Sequence, residues 1–207
     1  MSPRYDRWFM TRLAFLLIVT VLVSLPLQGA PEADIAKIQT FVAQRNTEAL
    51  KSMGTGVLPA LVQLYRDSDD AGKANVAAMF SQLGWKSPEA KHVLMADVRT
   101  SIESLRVEVQ SALGRVSSDA DVIDVLLNVM RNDENPFFRD RAACALAYDQ
   151  IHLTEKQKLH LYEGLIEALS DSKPDVRSIA ALALVAQTGQ TRTTQEWKKW
   201  LSEYRSR

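Results

Sequence analysis

Three histidines, one cysteine and a recurring set of aspartates and arginines are the residues of this chain that could do chemistry. His92, His152 and His160 each lack a second ligand at the His-x-x-His or His-x-x-x-His spacing that brings two imidazoles to one side of a helix. His152 and His160 would share a helix face only if Leu153-Thr154 were helical. Cys144 is the only cysteine, so no internal disulfide can form. Its alanine neighbours give it the setting of a small buried hydrophobe on an inner helix, with a reactive thiol or metal ligand as the alternative. No Gly-rich phosphate loop, Gly-x-Ser-x-Gly elbow or Cys-x-x-Cys pair occurs. The chain is therefore expected to have no catalytic residues, no metal site and no cofactor.

The charged residues follow a different logic. Asp133, Pro136, Arg139, Ala142 and Leu146 return as Asp171, Pro174, Arg177, Ala180 and Leu184, at a constant offset of 38. A period of this size marks stacked repeats, in which each helical unit buries its apolar face only against its neighbours. Arginine suits such a repeat because its planar fork makes several directed bonds at once.

The elements that must carry these residues are helical throughout. Apolar residues recur at helix spacing, while β-branched residues alternating with polar ones are absent. Ile35, Ile38, Phe41 and Val42 mark a first helix, and Asn46 or Thr47 caps a short second one that Gly54 ends. Four pairs follow. The first carries Leu58, Leu61, Val62 and Tyr65, then Val76, Met79, Phe80 and Leu83 up to Gly84. Ser87-Pro88 opens the second, whose partner helix runs through Leu105, Val109, Ala112 and Leu113 to Gly114. Ser118 to Asp121 has the spacing of a capping box and opens the third, with Asn135-Pro136 starting its second helix. Thr154 and Gln157 open the fourth, which turns at Lys173-Pro174 and ends at Gly189. Thr193 and Glu196 then cap a last helix whose Trp197 and Trp200 share a face and close the stack. The expected organisation is a leader over 1–30, an N-terminal cap over 31–56, a repeat array over 57–189 and a C-terminal cap over 190–207.

The leader has three parts. Arg4, Arg7 and Arg12 precede a charge-free run from Leu13 to Leu27, and Gln28-Gly29-Ala30 supplies small residues at its end. That is the layout of a secretory signal peptide, and the run is shorter than the roughly 20 residues that span a bilayer. Export to the periplasm or beyond is the expectation. Pro31 would obstruct cleavage after Ala30, so an uncleaved anchor to the inner membrane through residues 13–27 is the alternative. Acidic and basic residues balance at 25 each, and no basic run stands out, which argues against a nucleic-acid partner.

The segments Leu127 to Leu146 and Leu165 to Leu184 resemble HEAT repeats of the short bacterial type also seen in phycobilisome-lyase-like proteins. Asp171, Pro174, Val176, Arg177, Ala180, Ala181 and Leu184 carry the pattern in one, and Asp133, Pro136, Arg139, Ala142, Ala143 and Leu146 in the other. Earlier pairs match more loosely, keeping Leu105-Arg106 in the second and placing Lys73 at the arginine position in the first. The resemblance implies a right-handed α-solenoid of about four antiparallel helix pairs, with the second helix of each pair lining the concave side. It implies that Asp133, Arg139, Asp171 and Arg177 form a ladder of bonds to backbone and neighbouring repeats; an anion site at Arg139 and Arg177 is the alternative. It further implies work as a scaffold that holds a protein or peptide. On that reading Phe137, Arg141, Tyr148 and Trp85 are the partner-binding candidates, an exposed aromatic beside an arginine being a plausible anchor. A membrane-tethered regulatory subunit of an envelope enzyme and a lyase-like or ligand-handling enzyme are the alternative functions.

Overall fold

A computed structural model describes residues 32–206, and every regular element among them is helical. The leader over 1–30 lies outside the described residues. Helices α1 (Glu32–Ala43) and α2 (Thr47–Ser52) lead through a 3₁₀ turn (Thr55–Val57) into four pairs. These are α3 (Leu58–Asp67) with α4 (Asp70–Leu83), α5 (Pro88–Asp97) with α6 (Glu103–Val116), α7 (Ala120–Asn132) with α8 (Pro136–Cys144), and α9 (Glu155–Ala168) with α10 (Pro174–Thr188). A π turn (Ala145–Asp149) continues α8, and α11 (Thr194–Arg205) ends the described chain. None of these helices is long and apolar enough to cross a membrane.

Local chemistry sets most of these boundaries. Asn46, Asp69, Ser87, Thr154 and Thr193 each cap the following helix by accepting from a backbone N–H, and the last two do so in reciprocal boxes with Gln157 and Glu196. Gly84 and Gly189 end α4 and α10 at φ of +67° and +70°, a left-handed conformation that a side chain would strain.

Two boundaries differ from the sequence reading. Asp119 stands at the N-cap of α7 without a side-chain cap bond. Its carboxylate takes Lys91 at 2.8 Å, and the Ser118 hydroxyl takes Lys86 Nζ at 2.7 Å, so contacts between repeats displace the local box. Gly114 does not stop α6, which runs two residues further to Val116. A Cβ there would sit 2.7 Å from Asp149 Cβ and 3.2 Å from the Ala145 carbonyl, so this glycine lets α6 approach the π turn.

The pairs stack into two layers. Helices α4, α6, α8 and α10 follow one another in one layer, with the most extensive contact between α4 and α6, where Ala74, Ala77 and Ala78 are buried. Small side chains let helix axes come close. In the other layer α3 meets α5 and α7 meets α9, but α5 and α7 make only marginal contact. The second helices pack more closely along the stack than the first helices do. A continuous apolar core runs from Ile38 and Leu50 through Leu61, Phe80 and Leu126 to Trp197. The molecule is an all-α solenoid.

Candidate functional site

Arginines at the start of the second helices organise the turns. Arg139 donates through Nη1 to the carbonyls of Asp133 (2.7 Å) and Glu134 (3.1 Å), and through Nε to the Asp175 carboxylate of the next pair (2.9 Å). Arg177 repeats the first half, donating to the carbonyls of Asp171 (2.8 Å) and Ser172 (2.9 Å). These carbonyls lie in the turns just beyond the preceding helices, outside the helical hydrogen-bond ladders. The aspartate side chains point the other way along the array. Asp133 accepts from Arg106 of the preceding pair, and Asp171 from Arg131 at 3.4 Å. Lys73 at the arginine position of the first pair reaches Asp97 at 3.1 Å, and Asp97 also accepts from the Tyr65 hydroxyl at 2.8 Å. The Lys173 N–H and the neighbouring cations hold the Asp171 carboxyl below its ordinary range. With the forks of Arg139 committed in this way, little of that side chain is left for a free anion.

Away from the turns, the layer of second helices carries a different surface. Phe137, Cys144 and Tyr148 share one face of α8 and its π turn by their spacing of seven and four. Phe137 is 45% exposed and Tyr148 64%, whereas Phe138 is buried beneath Arg106. On the neighbouring α10, Leu182 is 66% exposed. A cleft of about 220 Å³ runs between these helices, lined by Ala143, Ala147, Ile179, Ala183 and Ala186 together with Leu182 and Tyr148. Asp140 is exposed on its wall.

Three features keep the cleft open. Alanines on both helices leave shallow walls. Helix α11 packs along α9, where Trp200 meets Tyr162 edge-on at 5.3 Å, and therefore does not cover α10. The π turn widens the end of α8 and releases the Leu146 and Ala147 carbonyls, which Gln187 of α10 satisfies through Nε2 at 2.8 and 2.9 Å. Gln187 thereby fixes the distance between the two walls.

The sequence candidates divide on this geometry. Phe137 and Tyr148 lie on one exposed strip. Arg141 is half-buried and turns back to the Ser111 hydroxyl of α6, joining two repeats. Trp85, in the loop after α4, packs partly buried against the core, far along the array from the cleft. Trp197 of α11 is fully buried and meets Trp200 of the same helix at 5.2 Å. Cys144 is a correction: it is only partly buried and lines the cleft. Partial burial and the Asp140 charge push its thiol pKa up, which makes it a poor nucleophile.

Leu182 and Ile179 are functional candidates that the sequence reading missed. The buried positions of α10 are Val176, Ala180, Ala183 and Leu184. Leu182 falls outside that stripe, and a large apolar residue out of register with its helix is the signal that was available.

The HEAT repeat family matches residues 47–147, from α2 to the π turn. That span includes α2, assigned above to the cap, and stops before α9 and α10, where Asp171, Pro174 and Arg177 repeat the same turn chemistry. None of the curated proteins matches the chain at a significant level.

Proposed function

We propose that this HEAT-repeat protein is a non-catalytic scaffold that holds a protein segment in the concave cleft between α8 and α10. HEAT repeats commonly mediate protein–protein interactions. The observation that carries the reading is the gathering of Phe137, Tyr148 and Leu182, three of the four large apolar side chains exposed among the described residues, on two adjacent second helices. An exposed apolar patch rimmed by polar groups is the usual mark of an interaction surface. The cleft wall offers one carboxylate, one thiol of raised pKa and one phenol, and none of the three is hydrogen-bonded to a second acid or base among the described residues.

The test is a photo-cross-linking residue placed at Leu182, at Tyr148 and, as a control, at the exposed Lys198 on α11. Adducts to the same protein from the first two sites and not from the third support the reading. Adducts from all three sites alike, or from none, end it.

The same proposal places the scaffold outside the cytoplasm, and the basic, apolar and small-residue order of Arg4 to Ala30 supports it. Sequencing the N-terminus of the protein recovered from cell fractions separates the versions. A soluble form beginning after Ala30 supports export with cleavage, a full-length membrane-bound form supports the tether, and a full-length cytosolic form rejects both.

A further inference from the structure

We infer that the occupant of the α8–α10 cleft is an amphipathic helix of about three turns, bearing a lysine or arginine opposite Asp140. The inference rests on the scaffold reading above and adds the shape and charge of the partner.

Shape follows from backbone accounting. A buried peptide N–H or carbonyl must be paired. The two carbonyls that the π turn frees beside the cleft are already taken by Gln187. What the cleft presents is side chain: alanine methyls, Ile179, Leu182 and the Tyr148 ring. An extended segment laid there would meet no backbone partners, whereas a helix brings its own hydrogen bonds. Two adjacent helices with small residues between them form a furrow into which the ridge of a third helix fits. Phe137 and Tyr148 are eleven residues apart along α8 and its π turn, a strip of roughly 16 Å at 1.5 Å per residue, which is three turns of a docked helix.

Charge follows from Asp140. It is exposed on the cleft wall and its side chain has neither a salt bridge nor a hydrogen bond among the described residues, while nearby Asp175 is paired with Arg139, and Arg141 is turned toward α6. A single unpaired carboxylate beside an apolar furrow favours a partner with one cation at the matching position and disfavours one with an acid there.

The probe is a displayed library of three-turn helical peptides with one randomised face, selected on the full chain. Winning peptides are then measured by fluorescence anisotropy against the wild type, Leu182→Asp and Asp140→Lys. Both positions are exposed, and circular dichroism is used to check that each variant folds. The expected winners carry an apolar ridge and one Lys or Arg. Leu182→Asp weakens them about 30-fold or more, the scale of an anchor residue. Asp140→Lys weakens them about fivefold and prefers versions with Glu in place of the cation, the scale of an exposed ion pair lost and reversed.

Winners that depend on Leu182 but tolerate a central proline, or show no charge preference, overturn the helix or the cation and leave the scaffold reading standing. Winners indifferent to Leu182→Asp, or no winners at all, overturn the cleft as a binding site.

Discussion

The guanidinium of Arg106 lies 3.9 Å above the ring centre of Phe138 while its Nη2 holds the Asp133 carboxylate. One side chain thus joins the second pair to both helices of the third, at the junction where α5 and α7 barely meet. It covers the phenyl ring that would otherwise be exposed beside Phe137. Arg106→Met keeps the length and removes the charge, leaving Asp133, only 14% exposed, without its cation. The expected loss is about 3 kcal/mol, the scale for breaking one side of a buried pair. Urea unfolding followed by circular dichroism measures it, and a double-mutant cycle with Asp133→Asn isolates the ion pair from the ring contact.

Gly114 offers a test in which two effects oppose. In an exposed helix interior, glycine to alanine stabilises by about 1 kcal/mol. Here the new methyl meets Asp149 Cβ and the Ala145 carbonyl, both tied to backbone. Gly114→Ala is therefore expected to destabilise by about 1–3 kcal/mol, as overpacking does. A stabilised variant would mean that the π turn yields.

Gln187 holds the cleft walls together through two hydrogen bonds to carbonyls that the π turn leaves unpaired. Gln187→Leu keeps the bulk and strands both acceptors, for an expected loss of about 1–3 kcal/mol. Hydrogen exchange should quicken across the π turn and the second half of α10 and stay unchanged in α3 and α4. A uniform change would show that the array unfolds as one unit.

The ladder also predicts an acid limb. Asp171 has its carboxyl held low, chiefly by the Lys173 N–H and then by the nearby cations. A depressed folded pKa gives stability that is fully present above the unfolded value near 3.9 and is lost as pH falls through the folded value. Asp171→Asn should therefore lower the melting temperature at pH 6, and the difference from the wild type should shrink below about pH 4 and vanish at lower pH. A difference that persists unchanged at pH 2 would assign the effect to packing.

The sequence determined by itself that this chain is a stack of helix pairs. The offset of 38 residues, the capping residues and the helix-period stripes are local or strictly periodic, and a helix satisfies its backbone without help from distant residues. Stops at Gly84 and Gly189 were legible for the same reason, since a left-handed backbone calls for glycine wherever it occurs. Gly114 was misread because close approach to Asp149 and a helix stop both select glycine, and only the fold tells them apart.

Tertiary structure decided what is exposed. Adjacent Phe137 and Phe138 are the same residue type on the same helix, and Arg106 of another repeat determines which one is covered. Cys144 and Leu182 sit in alanine-rich runs that read as core. They line a cleft because α11 packs along α9, and because the π turn and Gln187 hold α8 and α10 in a furrow between small side chains. Those facts depend on distances between repeats, and helical periodicity along the chain carries no information about them.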